Sequence, residues 1–127
     1  MNMIDKALGV HAQALAVRSQ RMELLGLNIA NSDTPSFKAK DIDFKSVLQS
    51  TQEGNMSITH KGHMPLTDSG SPDGVMYRIP FDTSFDGNTV EMNVEQAKFG
   101  QAAADYQATL NILESRIGGI RKALRGD

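Results

Sequence analysis

The chain has 127 residues, no Cys, and a formal charge of -2 from 13 Lys and Arg set against 15 Asp and Glu. That is one domain's worth of material with a modest core. The missing Cys excludes disulfides, thiolate nucleophiles and Cys-ligated zinc, and the scattered, near-neutral charge lacks the basic stripe that nucleic-acid binding requires.

The first segment predicts a helix from about Met3 to Ala30. Ile4, Leu8, His11, Leu15, Arg18, Met22, Leu25 and Ile29 recur at alternating steps of four and three, which lays them along one helical stripe. Leu8, Leu15, Met22 and Ile29 make one apolar row. His11 and Arg18 interrupt the other, which suggests several neighbours rather than a two-stranded zipper. Gly9 and Gly26 each cost about 1 kcal/mol of helix propensity relative to Ala. The opening residues have neither a basic leader nor a continuous apolar run, so no cleavable secretory signal is expected. No stretch approaches the ~20 apolar residues of a membrane-crossing helix.

Asn31-Ser32-Asp33-Thr34-Pro35 concentrates turn formers after the last periodic position, and Pro35 drives Thr34 away from helical geometry. From Ser36 to Phe44 the alternation is too loose to assign a strand. Asp43 is placed to cap a short helix through Gln49 that buries Phe44, Val47 and Leu48. Met56 to His60 and Val75 to Ile79 read as short strands, separated by the loop from Asp68 to Gly74 and ended by Pro80. Asp86-Gly87-Asn88 reads as a turn.

A second long helix is expected from about Asn93, with Gln96 as the other half of a capping box, to about Leu124. Phe99, Ala103, Tyr106, Leu110, Leu113, Ile117, Ile120 and Leu124 repeat the steps of four and three. Arg121, Lys122 and Arg125 suit its C-terminal dipole. Gly118-Gly119 marks a kink or a close contact. Two such stripes point to association. A helical hairpin folding on itself would satisfy them equally, and periodicity does not separate the two.

The candidates for chemistry are thin. His60 and His63 are three apart, but Gly62 and a strand-like flank argue against one helical face, and an exposed loop is the plainer reading. His11 reads as a packed seam histidine rather than a base. Asp41, Asp43 and Glu53 read as solvated surface rather than an acid/base set. Asp68 to Asp73 lacks the ligand alternation and closing Glu of a calcium loop. Asn55-Met56-Ser57 fits a glycosylation sequon, a pattern frequent by chance. No catalytic residue, cofactor or metal site is assigned, and an enzyme is not expected.

Two segments carry more than periodicity. Leu25-Gly26-Leu27-Asn28-Ile29-Ala30-Asn31-Ser32-Asp33-Thr34-Pro35-Ser36-Phe37-Lys38 closely resembles the signature of the flagellar rod, hook and hook-associated protein family. Ser36 stands where Gly is commonest and Phe37 where Tyr is commonest. The departure at Ser36 makes a left-handed turn there less comfortable. Phe85-Asp86-Gly87-Asn88-Thr89-Val90-Glu91-Met92-Asn93-Val94-Glu95, with Ala97-Lys98-Phe99 and Tyr106-Gln107-Ala108, looks like the proximal-rod branch of that family.

The resemblance implies a mainly α fold in which long N- and C-terminal amphipathic helices pack in a coiled-coil-like tube around a small irregular middle containing short strands. Residues 1-31 would be the N-terminal assembly helix, 32-89 the turn motif and middle region, and 90-127 the C-terminal assembly helix. The implied role is a structural subunit of the flagellar basal body, exported without a cleavable signal peptide. Its implied partners are other rod proteins, the membrane ring and its rod adaptor, and the export apparatus. A soluble coiled-coil chaperone or adaptor for export substrates is the alternative. Leu8, Leu15, Met22, Leu25, Ile29, Tyr106, Leu110, Leu113, Ile117 and Ile120 are the expected assembly contacts. Asn28, Asn31, Thr34, Pro35 and Phe37 are expected to shape the turn. His11 and Arg18 are expected to meet different neighbours.

Overall fold

A computed structural model of the chain describes residues 3–53, 74–82 and 84–126. The elements run α1 (Met3–Ala30), β1 (Lys40–Ile42), α2 (Phe44–Glu53), β2 (Val75–Tyr77) and α3 (Met92–Arg125). The fold is therefore mainly α, as expected, with two long terminal helices packed together and a small two-stranded sheet between them.

Each boundary has a local cause. At the end of α1 the Asn31 N–H is shared between Leu27 O at 3.0 Å and Asn28 O at 3.2 Å. The Asn31 side chain folds back to donate to Leu27 O at 2.8 Å, and Thr34 Oγ1 donates to Asn31 Oδ1 at 3.1 Å. These bonds satisfy carbonyls that the helix end leaves free. The chain then turns at Ser36 with φ 60, the left-handed conformation that a glycine would adopt without strain.

α2 starts directly after Asp43, whose carbonyl accepts from Val47 N–H at 3.1 Å. It runs on to Glu53, past the expected end, and leaves Phe44, Val47 and Leu48 half-buried. α3 begins one residue before the expected start, and the capping box does not form. Glu91 occupies the cap without a side-chain bond to the helix N–H groups, while Asn93 and Gln96 are exposed. The helix continues through Gly118 and Gly119, where an added Cβ would meet nothing within 4 Å among the described residues, so no close contact is made there. It ends at Gly126 in a left-handed cap whose N–H reaches Ala123 O and Lys122 O.

β2 falls within the expected strand from Val75 to Ile79. Its partner is β1, from the segment whose alternation was too loose to assign, in an antiparallel register of Lys40 with Tyr77, Asp41 with Met76 and Ile42 with Val75. The expected strand at Met56 to His60 lies outside the described residues.

α1 and α3 pack antiparallel, since Asn28 meets Glu95 at one end and Arg18 meets Asp105 further along. Their shared seam takes only Arg18 and Leu25 from the predicted stripe of α1. The buried positions are Ala14, Leu25 and Asn28 on α1 and Glu95, Ala102 and Thr109 on α3, with Arg18, Arg21 and Asp105 between them. Small residues bring the backbones close, and Leu25, with no exposed surface, contributes about 1.5–3 kcal/mol of apolar burial. The predicted row Leu8, Leu15, Met22 and Ile29 lies about a quarter turn from this seam and remains half-buried.

Candidate functional site

The functional features build up from one end of the hairpin, where the turn motif after α1 meets the segment leading into α3. Phe37 O accepts from Thr89 N–H at 3.0 Å, and Ala39 N–H donates to Thr89 Oγ1 at 2.7 Å. Ser36 N–H donates to Asp86 O at 2.9 Å and Lys38 Nζ to Gly87 O at 2.8 Å. The two segments that resemble the family signature are thus laced to each other across about fifty residues of chain.

Asn88, 4 % exposed, fastens this lacing. Its amide nitrogen lies 2.9 Å from Asn31 O, 2.9 Å from Ser32 O and 2.8 Å from Thr34 O. Its Oδ1 accepts from Val90 N–H at 2.8 Å. One carboxamide therefore ties the end of α1 to the start of α3. Asp86 supports the turn by accepting from Ser84 Oγ at 2.7 Å and Asn88 N–H at 3.1 Å. Those bonds hold its carboxyl below the usual carboxylate range.

Beneath the turn lies a charged bridge. Asn28 Nδ2 donates to Lys40 O at 2.7 Å and Glu95 Oε2 at 3.1 Å, while Asn28 Oδ1 accepts from Lys40 N–H at 3.1 Å. Glu95, fully buried, pairs with Arg78. Arg78 also reaches Asp41 Oδ2 at 2.8 Å, and Arg21 Nε reaches Asp41 Oδ1 at 3.0 Å. Partial burial alone would raise the Asp41 pKa. Hydrogen bonds from Arg21 and the Ile42 N–H, the Arg21 charge and the Arg78 hydrogen bond together outweigh it and lower the pKa. Lys98, close by, is pulled down by burial first and by the Arg78 charge next. The bridge joins α1, both strands and α3, and every carboxylate in it has a cationic partner, which is what a buried charge requires.

The structure corrects two readings here. Asp43 is exposed, as a solvated surface residue should be, but Asp41 is half-buried between two guanidinium groups. Arg18 does not wait for a neighbouring molecule: its guanidinium lies 4.5 Å over the Phe44 ring and 3.8 Å from Asp105 of its own chain. His11 is half-buried. The candidates from Glu53 to Asp73, including His60, His63 and the Asn55 sequon, lie outside the described side chains. Among the described residues no group of three His, Cys, Asp or Glu is placed to hold a metal, and no helix is long and apolar enough to cross a membrane.

The expected contact residues fall into two sets. Leu25 is sealed in the hairpin seam, whereas Leu8, Leu15, Met22, Ile29, Tyr106, Leu110, Leu113 and Ile120 are half-buried and Ile117 is exposed. On each helix the half-buried row lies to the same rotational side of the seam. In an antiparallel pair, rows displaced in the same sense come to lie on one common face. Gly26 supports this, its Cβ direction pointing 4.0 Å from the Phe99 ring. α2 and the sheet attach to α1 through Arg18, Arg21 and Phe44. In the turn motif, Asn28 is buried, Asn31 and Phe37 half-buried, and Thr34 and Pro35 exposed. Arg21, Asp41, Arg78, Asn88 and Glu95 are the site residues that periodicity missed. The only available signal for them was the presence of Asn88 and Glu95 in the second signature segment.

Two terminal helices clamped at one end by buried polar bridges, with a half-buried apolar row on each, define a helical-hairpin protein. No family model matches the chain. It is 43% identical over 128 residues to the flagellar basal body rod protein FlgB of Aeromonas hydrophila, covering 97% of this chain and 96% of the relative. It is 43% identical over 121 residues to the protein of that name from a Cereibacter sphaeroides strain, covering 94% of each. The same name belongs to a Salmonella typhimurium relative at 37% identity over 135 residues, covering 99% of this chain and 98% of the relative. The chain belongs to the flagellar basal body rod protein FlgB family.

Proposed function

We propose that this protein is a structural subunit of the proximal rod of the flagellar basal body, polymerising through α1 and α3 to carry torque between the membrane ring and the distal rod. The observation that carries the reading is near full-length similarity to rod proteins in a chain whose terminal helices share an apolar face. Leu8, Leu15, Met22 and Ile29 on α1, with Tyr106, Leu110, Leu113, Ile117 and Ile120 on α3, meet the helices of neighbouring subunits. Leu25 acts differently, by holding the hairpin together from inside. Asn28, Asn31, Thr34, Pro35 and Phe37 set the path from the assembly helix into the middle region.

On this reading the protein performs no catalysis and needs no cofactor. It is exported by the flagellar apparatus and sits in the periplasmic rod beside the membrane ring, its adaptor and the other rod proteins. The chaperone reading has weaker support, because the relatives matched over nearly their whole length carry a rod protein's name. Fractionation tests the proposal. The protein should co-purify with basal bodies and be absent as a free cytosolic pool in cells with complete rods. A wholly soluble cytosolic protein would overturn it.

A further inference from the structure

Two left-handed residues face each other across the signature turn. The turn from Thr34 to Phe37 is closed by Phe37 N–H donating to Thr34 O at 3.3 Å, with Pro35 and Ser36 in its two central positions. Proline holds φ at about -65° in the first of these, and Ser36 has φ 60 in the second, which makes the turn type II. Opposite it, Gly87 has φ 73, and a Cβ there would lie 3.7 Å from Ser36 Oγ. Gly87 takes that conformation at no steric cost. Ser36 does not, and among the described residues it is the one non-glycine with a positive φ.

The local sequence does not ask for type II. Proline suits the first central position of types I and II alike, and the same closing bond serves both. A residue with a side chain in the second position favours type I, where its φ is about -90°. The two types differ by turning over the central peptide, which here joins Pro35 to Ser36. Its N–H is that of Ser36, and it donates to Asp86 O at 2.9 Å. In type I this N–H would point to the other face of the turn, and the bond to Asp86 would be lost. The bond therefore selects the turn type. Two further bonds hold the segments in register, from Thr89 N–H to Phe37 O at 3.0 Å and from Ala39 N–H to Thr89 Oγ1 at 2.7 Å.

We propose that the Pro35–Ser36 peptide is a two-position switch, type II while the segment from Asp86 to Thr89 is docked and type I once that segment leaves. Gly87 presets one half of the contact, and Ser36 is bent to match it. The path from α1 towards β1 is then completed by the lead-in to α3, 50 positions away along the chain. Ser36→Gly would hold type II unaided and remove the switch.

Nuclear magnetic resonance on the full-length chain reads the switch directly. Pro35 Hα lies next to the Ser36 N–H in type II and faces away from it in type I, so the nuclear Overhauser effect between them should be strong in the native chain. Gly87→Val cannot hold φ 73 without strain and withdraws Asp86 O. The effect should then be lost while the amide signals around Asn28 and Glu95 stay in place, and adding Ser36→Gly should restore it. A strong effect in a folded Gly87→Val chain would overturn the proposal, as would a weak one in the native chain. Amide exchange in the native chain decides the matter even where Gly87→Val does not fold. One event opens both bonds, so Ser36 N–H and Thr89 N–H should be equally protected, and Ser36→Gly should slow both about fivefold. Exchange at Ser36 about tenfold or more faster than at Thr89 would mean that the peptide turns over while the segment stays docked, and would overturn the proposal. Faster exchange of both amides in Ser36→Gly would do the same, by showing that the Ser36 Oγ bond to Asp86 O holds the contact.

Discussion

Replacing Asn88 removes one carboxamide and disturbs four hydrogen bonds. In Asn88→Ala, Asn31 O keeps Thr34 N–H and Thr34 O keeps Phe37 N–H, so those two carbonyls retain donors. Ser32 O and Val90 N–H lose the Asn88 partner and gain none within the fold. Each such group costs about 1–3 kcal/mol, towards the lower end here because both residues are only half-buried. The expected loss is about 2–3 kcal/mol, a large part of a small domain's ~5–15 kcal/mol. Asn88→Asp keeps the shape but turns the donor into a carboxylate facing three carbonyl oxygens, and it should cost at least about 1 kcal/mol more than Ala. Urea unfolding of dilute protein, followed by circular dichroism, gives both values from the midpoint and slope. A loss below about 1 kcal/mol for Asn88→Ala, or an Asp variant no worse than Ala, would mean that Asn88 is not the fastener described here.

Glu95→Ala should destabilise the fold by about 1–3 kcal/mol, because Arg78, whose side chain is 10 % exposed, loses one of its two carboxylate partners and keeps only Asp41. The same unfolding assay reads it, and Glu95→Gln should be milder because an amide oxygen still accepts from the guanidinium. Asp41 has a folded-state pKa below its ordinary 3.8, so its stabilisation is fully present above about that pH and is lost as acid passes the lowered value. The stability gap between the native chain and Asp41→Asn should accordingly be constant from pH 7 to 5 and shrink below pH ~4. A gap that widens in acid would reverse the sign of the argument. Ser36→Gly should relieve the left-handed strain at φ 60, giving a gain of up to about 1 kcal/mol despite the added chain entropy. A clear loss would show that the 3.3 Å bond from Ser36 Oγ to Asp86 O matters more than the backbone. Leu113→Asp should leave the monomer's helix content intact while abolishing rod formation, read as rod yield in purified basal bodies. Normal motility would place Leu113 outside any interface.

The end of α1 and the start of α2 were readable because each rests on local chemistry: turn formers after Ala30, and Asp43 before Phe44. The stripes were readable too, but their use was not. Periodicity finds apolar rows, and the seam between α1 and α3 runs instead through Ala14, Arg18, Arg21 and Asn28 against Glu95, Ala102 and Asp105. Residues of those types look like surface until their partners are known, and the partners are far along the chain. β1 escaped for the same reason. Lys40, Asp41 and Ile42 have no strand-like alternation of their own and are held extended by β2 and by the Asn28 amide. The Asp-Gly-Asn turn was visible as a turn, yet nothing local reveals that Asn88 reaches back to three carbonyls after α1.

The clamp also has a consequence for the order in which the molecule can form. Asn28 and Glu95 are 67 positions apart, Asn88 and Asn31 are 57 apart, and Arg78 and Asp41 are 37 apart. High contact order of this kind delays folding until distant parts of the chain have found each other. Neither half holds its own fastening: the first forty residues carry sockets, and residues 78–95 carry most of the pins. A chain delivered end first, as the proposed export route requires, therefore stays unlocked in transit whichever terminus leads, and closes only when both ends have reached the same side.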